Sequence, residues 1–330
     1  MSVTLKQVAE KSGYSLPTVA RIMRGATKSH RPEVCKVVQD VAREIGYRPN
    51  RSAATMRTGT FNTFGLLLSS HHWHSGIPEN LLAGIQEALN KGGQSLLISQ
   101  HSEEELSDAG FIPVMLRQRM LDGLIINYHM PPPLYLLEVI EEYKIPSVFI
   151  NTDIPFNCVR PDDRQAAYDA TRRLIELGHT RVAFACDVTK HYSAAHRQAG
   201  YESAMRESGL PPRSRAYFEN AVVEFQHMLA SPDRPTAVLA CTGLATLVYL
   251  AARETGLSVP DDLSIIGIEQ ERIHCYPQPF SLAIIPGRSM GALVIDMLKA
   301  RIAEPPVQKP TVKVPFTFES GATIGKYTGS

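Results

Sequence analysis

The stretch Thr4-Leu-Lys-Gln-Val-Ala-Glu-Lys-Ser-Gly13, followed almost at once by Ser15-Leu-Pro-Thr-Val-Ala-Arg21, sets the reading of the whole chain. Thr4 and Gln7 stand three apart, the spacing of a capping box in which each side chain satisfies an orphan backbone donor, so a helix begins at Leu5. Gly13 stops it. Ser15 caps a second helix, and Pro17 is tolerated in its first turn because the amide it lacks would have no partner there. Gly25 closes that helix. Leu5, Val8 and Ala9 can then meet Val19, Ile22 and Met23 over one small core, which is a helix-turn-helix pattern. A third apolar stripe, Val34, Val37, Val38, Val41 and Ile45, starts near Pro32 and ends at Gly46, completing a three-helix unit.

In such a unit the second helix enters the major groove of DNA with its N-terminal residues toward the base edges, which puts Leu16, Pro17, Thr18 and Arg21 at the reading surface. The Arg21 guanidinium can bond both acceptors of a guanine, whereas Leu16 offers only apolar contact to a thymine methyl. A phosphate contact or a surface ion pair is the alternative for Arg21. Charge agrees with the assignment. Residues 1–60 carry eleven bases against four acids, an excess of seven in a chain whose formal net charge is +1, so the remainder is acidic. A basic head on an acidic body is the footprint of a head that meets a polyanion, although a merely solvated face stays open on charge alone.

At 330 residues the chain exceeds one ordinary core, so the body beyond the head is expected to divide into lobes with a cleft. With 44% apolar and 20% charged residues it reads as globular, and no apolar run approaches a membrane span. The opening residues lack the apolar stretch of a secretory signal, so a cytoplasmic location is expected. Cys35, Cys158, Cys186, Cys241 and Cys275 form no C-x-x-C pair, which argues against a disulfide framework or a zinc module. From Phe61 onward, apolar runs at 64–68, 95–98, 123–126, 147–150, 182–185, 237–240 and 264–267 alternate with helical stretches, the pattern of parallel sheets covered by helices. Gly84, Ala88, Leu89 and Gly93 recur at the same spacing as Gly200, Ala204, Met205 and Gly209, as though each lobe opened with the same strand and helix.

Taken with Gly46-Tyr-Arg-Pro-Asn50, the opening segments make the head similar to that of the lactose/galactose repressor (LacI/GalR) family of bacterial transcription regulators. Asn50-Arg-Ser-Ala-Ala-Thr-Met56 resembles that family's hinge helix, with Met56 where a leucine wedges into the minor groove. Bounded by Pro49 and Gly59, such a segment is too short to stay helical alone in water and is expected to order on DNA. Leu121-Asp-Gly-Leu-Ile-Ile126, Leu177-Gly-His179, Arg197-Gln-Ala-Gly-Tyr201 and Val259-Pro-Asp-Asp-Leu-Ser-Ile-Ile-Gly267 look like family landmarks in the body. The resemblance implies an all-α helix-turn-helix head (1–48), a hinge helix and linker (49–60), and an α/β effector-binding and dimerisation body (61–330). The body is a two-lobed clamshell of parallel sheets, like the periplasmic binding proteins. The implied partners are a homodimer mate, pseudo-palindromic operator DNA and a small-molecule effector, with no membrane. The implied DNA contacts are Thr4, Ser15, Leu16, Pro17, Thr18, Arg21, Arg24, Tyr47, Asn50, Arg51, Ala53, Met56 and Arg57.

Ligands of open α/β sheets lie beyond the carboxyl ends of strands, which makes Ser69, Trp73, Asn127, Asp153, Arg197, Cys241, Thr242 and Glu269 the effector candidates. By resemblance, Arg197 matches an arginine that contacts the effector. Cys241 and Thr242 replace an Asn-Asp pair, and Glu269 with Gln270 replaces two aspartates, so the pocket departs from the family pattern. The tail Pro315-Phe-Thr-Phe-Glu-Ser-Gly-Ala-Thr-Ile324 and Arg24 are similar to the gluconate-repressor branch, which suggests a sugar or a sugar acid paired with Arg197. Trp73 either stacks on an effector ring or fills a lobe edge. His71, His72 and His74 sit too close together in one loop to suggest a metal site by themselves. No catalytic residue, metal ligand set or cofactor motif is recognised: there is no G-x-G-x-x-G, P-loop, H-E-x-x-H or G-x-S-x-G. The rival readings are an enzyme carrying a DNA-binding head, and a DNA-binding regulator with a vestigial or partner-controlled pocket.

Overall fold

The computed structural model describes residues 3–48, 59–71, 75–129, 132–186, 191–216, 221–241, 243–273, 278–304 and 308–328. The chain separates into two compact units, Met1–Phe61 and Asn62–Ser330.

The smaller unit is three helices, α1 (Leu5–Ser12), α2 (Leu16–Met23) and α3 (Pro32–Glu44). The capping box forms as its spacing requires, with the Gln7 amide donating to Thr4 Oγ1 at 3.3 Å and the Thr4 amide to Gln7 Oε1 at 2.7 Å. Gly13 leaves α1 at φ 74°, in the left-handed region that favours glycine. Ser15 Oγ accepts from the Thr18 amide and so starts α2. Val8, Val19, Ile22 and Val38 are buried at the centre of the head, each worth about 1.5–3 kcal/mol of transfer free energy. Val37, assigned to the apolar stripe by its spacing, is instead 43% exposed, because a stripe of alternating valines is wider than the face that α1 and α2 can cover.

The larger unit runs β1 (Thr63–Ser69), α4 (Glu79–Lys91), β2 (Ser95–His101), α5 (Glu103–Ser107), α6 (Val114–Arg117), β3 (Gly123–Asn127), α7 (Leu134–Glu142), β4 (Ser147–Ile150) and β5 (Cys158–Pro161). It then crosses to a second lobe of α8 (Asp163–Glu176), β6 (Val182–Cys186), α9 (Tyr192–Glu207), β7 (Arg213–Ala216), α10 (Ala221–Ala230), β8 (Ala237–Cys241), α11 (Leu244–Glu254), β9 (Ser264–Glu269) and β10 (Ser281–Ile284). The chain returns with α12 (Gly287–Ala303) and β11 (Val312–Val314) to the first lobe, and ends with β12 (Thr317–Glu319) in the second. Each lobe holds one sheet, in the order β11-β5-β4-β3-β1-β2 and β12-β10-β9-β8-β6-β7. All described pairings are parallel except β10 with β12, so the expected parallel sheets acquire one antiparallel edge.

The apolar runs become strands because both sheet faces are covered, which buries successive residues without alternation. Phe64, Leu66 and Leu68 face α4 and α12, while Leu67, Leu124 and Ile126 face α7. Gly84 and Gly200 fall on α4 and α9, the helices that follow the first strand of each lobe, and Gly93 and Gly209 lie in the turns after them. A Cβ on Gly84 would lie 2.3 Å from the Arg288 carbonyl oxygen of α12, and one on Gly200 would lie 2.0 Å from that of Arg164 on α8. The repeat thus marks two equivalent close helix crossings.

Candidate functional site

On the head, Ser15, Leu16, Pro17, Arg21 and Arg24 are exposed on or beside α2, with Leu16 at 45% exposure despite its apolar side chain. Thr18 is half-buried, its hydroxyl 2.9 Å from Ser15 Oγ, so capping occupies both residues. Thr4 likewise spends its side chain on the capping box. Tyr47 packs against the head core, and burial raises its phenol above the usual value, with the charge of Arg24 pulling the other way. Among the described residues Lys6, Lys11 and Arg43 have acidic partners, whereas Arg21, Arg24, Arg31 and Lys36 make no ion pair. Unspent positive charge therefore includes both arginines of the second helix and its end. Asn50, Arg51, Ala53, Met56 and Arg57 lie outside the described residues, as do Trp73 and Thr242 of the body.

Between the lobes lies a cavity of about 80 Å³, bounded on every side by loops and helix starts that follow strand carboxyl ends. From the first lobe come Gly76, His129 and Asn151, and from the second come Asp163, His191, Tyr192, Arg197 and Gln270. Arg197, one turn into α9, is buried and donates through Nε to Asp163 Oδ1 at 2.8 Å. Burial holds the Asp163 carboxyl above its ordinary value, with the charge and hydrogen bond of Arg197 pulling the other way. His191 Nδ1 accepts from the Ser193 amide at 3.1 Å, and its ring sits 4.2 Å from that of His129 on the facing lobe. Burial, His129 and Arg197 push the His191 imidazole down to about 3, so it is neutral.

The effector candidates occupy different positions around this cavity. Glu269 closes β9 and accepts from the Gly243 amide at 2.9 Å; burial pushes its carboxyl up to about 7 against the pull of that amide and of Arg197. Cys241, at the end of β8, is buried under Arg197, with burial holding its thiol well above the usual value and the Cys186 thiol beside it. Asp153 Oδ1 lies 2.9 Å from Arg160 and its Oδ2 2.9 Å from His196 of the second lobe. Asn127 and Ser69 do not line the cavity. Asn127 Nδ2 donates to the carbonyls of Ser75 and Gly76, and Ser69 Oγ accepts from the His71 amide, so both hold the loop after β1. Their side chains are thus engaged by the neighbouring loop backbone. Arg197, expected to pair with a sugar acid, lines the cavity with its Nε on the buried Asp163 carboxyl of its own chain.

The sequence reading missed Asp163, His191, Tyr192 and His129. The strand-end rule reaches all four, but β5, four residues ending in Pro161, was too short to be read as a strand, which hid Asp163. His129 lies two residues past Asn127, where the reading stopped.

Residues 171–324 match the model of the periplasmic binding protein-like domain. Catabolite control protein A of Priestia megaterium is 26% identical over 97% of this chain and 98% of its own length. The ribose operon repressor of Escherichia coli K12 is 26% identical over 97% and 99%. The lac repressor dimer bound to operator and the anti-inducer ONPF superposes with a TM-score of 0.78 at 24% identity, covering 98% of this chain and all of that one. Head, connecting segment and body thus correspond end to end. The chain is similar to repressors of the lactose/galactose repressor family over nearly its whole length. The two-lobed body and its interlobe cavity are the parts that this likeness implies, and the chain lines the cavity with the Asp163–Arg197 pair and His191. Among the described residues no group of three or more His, Cys, Asp or Glu side chains is arranged to hold a metal ion, and no helix is long and apolar enough to cross a membrane.

Proposed function

We propose that the chain is a cytoplasmic transcription repressor whose grip on a pseudo-palindromic operator is set by a sugar-sized effector in the interlobe cavity. Two chains pair, each head reads one half-site through Arg21 and its neighbours, and the hinge segments with Met56 meet at the operator centre. The observation that carries this reading is the head surface: two arginines with no acidic partner among the described residues stand beside an exposed leucine on a helix whose buried face is used in the three-helix core. A solvated face has no need of an exposed leucine among unpaired bases; a groove-reading face does.

The site is small and polar, a cavity of about 80 Å³ lined from both lobes by Asn151, Asp163, His191 and Arg197. The relatives regulate in like manner by their names, and the CelR complex, superposing at a TM-score of 0.65 with 22% identity, carries cellobiose.

Operator selection from random duplexes with the full chain is the test, followed by titration of monosaccharides against the selected site. A selected palindrome whose affinity falls about 10³ to 10⁵-fold between 50 and 200 mM salt supports the reading, and a chain lacking residues 1–60 should retain none of it. Selection of no sequence, or retention by the truncated chain, overturns it.

A further inference from the structure

The polar atoms left unmet around the interlobe cavity are unbalanced. Asp163 Oδ1 is taken by Arg197, but Oδ2 is buried with no hydrogen-bond partner among the described residues. Gln270 Oε1 and Asn80 Oδ1 are in the same state, the latter against Gly287 on the cavity wall. These are acceptors. The Tyr192 hydroxyl, also unmet, both donates and accepts, while the unmet donor Arg160 Nε is stacked over the Tyr192 ring and does not line the cavity. A buried acceptor without a donor is costly, more so when charged, so an occupant that donates there is favoured.

Charge points the same way. Two carboxyls, Asp163 lining the cavity and Glu269 beside it, face one lining guanidinium among the described residues, Arg197, and the flanking His191 is neutral, while Asp153 is matched by Arg160 and Lys313. A carboxylate ligand adds a further negative group where the Arg197 guanidinium is already paired, whereas an ammonium meets the carboxyls.

We propose that the effector is an amine-bearing compound of single-sugar size, an amino sugar in class, whose ammonium is received by Asp163 Oδ2 with Glu269 as the second nearby carboxylate. This inference rests on the effector-gated reading above.

The test is thermal unfolding of the full chain with three matched pools: hexosamines (glucosamine, galactosamine, mannosamine), the parent neutral hexoses, and the corresponding hexonic acids. The hexosamine pool should raise Tm in a saturable way and shift operator binding, with no effect of the acids. Stabilisation by the neutral or acid pool without the amines overturns the inference and leaves effector gating intact. No shift with any pool, and no change in operator binding, counts against both. Asp163→Asn should abolish the amine response, and Glu269→Gln, which keeps the Gly243 contact and so protects the fold, should weaken amine affinity by about tenfold or more while sparing any neutral-sugar response. An amine response unchanged in Glu269→Gln and in folded Asp163→Asn overturns the inference.

Discussion

His196 Nε2, on α9 of the second lobe, lies 2.9 Å from Oδ2 of Asp153, in the loop after β4 of the first lobe. Burial raises the Asp153 carboxyl, but the His196 hydrogen bond and the charge of Arg160 outweigh it, and the group is held below its usual value. The contact is a strap across the cleft. Its side chains are 28% and 49% exposed, so Asp153→Asn should change global stability by no more than about 1 kcal/mol. The change expected is local: amide exchange at the start of α9 should quicken, because opening of the cleft is opposed by one contact fewer. Identical exchange in mutant and parent would show that the lobes are held by other contacts.

The Arg197–Asp163 pair is buried on both sides, and its removal obeys a different rule. Asp163→Ala leaves a guanidinium in a desolvated site and should cost about 3–5 kcal/mol in urea unfolding. The double variant Arg197→Met with Asp163→Leu should recover most of that loss, since apolar replacement of an entire buried pair is often neutral. Additive losses in the two single variants and the double would mean that the residues do not act as a pair.

Acid–base linkage gives opposing slopes from two groups of one cavity. Glu269 has its folded value pushed up to about 7 from 4.5, so folding binds a proton there, and its contribution to stability declines as pH rises between those values. His191, pushed down from 6.5 to about 3, behaves oppositely: its contribution is intact above 6.5 and is lost as pH falls toward 3. Glu269→Gln should remove only the first slope. The variant should therefore gain stability relative to the parent as pH rises from 4.5 to 7, by an amount on the order of 3 kcal/mol at full effect. A stability difference between the two proteins that stays flat with pH would contradict the assigned burial of Glu269.

How far the sequence carried depended on how local each signal was. Thr4, Gln7, Gly13 and Ser15 specify helix ends through contacts three or four residues away, and every one of those contacts forms. The buried strands were legible because both faces are covered, which removes alternation and leaves plain apolar runs. The strands Cys158–Pro161, Val312–Val314 and Thr317–Glu319 were not, since three or four residues carry no period. Arg197 was found by resemblance and by its place after a strand, but its partner was not, because the 33 residues between it and Asp163 carry no local signal of a tertiary pair. Ser69 and Asn127 stood at the right strand ends with side chains committed elsewhere, a fact that depends on where the loop after β1 folds back.

The paired glycines turn a sequence repeat into a measurable equivalence. Gly84→Ala and Gly200→Ala each drive a methyl group against a helix carbonyl closer than any real Cβ approaches, at 2.3 and 2.0 Å. Each should destabilise by about 1–3 kcal/mol or more through overpacking. Gly93→Ala and Gly209→Ala have open space but left-handed backbones, at φ 63° and 71°, and should cost about 1 kcal/mol or somewhat more through strain alone. Chemical denaturation of all four variants checks the ordering, and a milder loss at Gly84 or Gly200 than at the turn glycines would refute the helix-crossing account.

Arg21 and Arg24 are both exposed and make no ion pair among the described residues but differ in position, and DNA should tell them apart. Arg21 projects from within α2, whereas Arg24 follows its last residue, Met23, so only Arg21 is in register with base edges when the helix start enters the groove. Arg21→Ala should lose about 1–3 kcal/mol of discrimination at one base pair of each half-site while retaining affinity for non-specific duplex. Arg24→Ala should instead weaken all duplexes alike and lower the salt slope by about one phosphate contact per head. Competition binding with single-position operator variants at two salt concentrations separates the outcomes. If Arg21→Ala behaved as Arg24→Ala is expected to, its guanidinium would be a phosphate clamp, and base reading would fall to the other residues of the helix start.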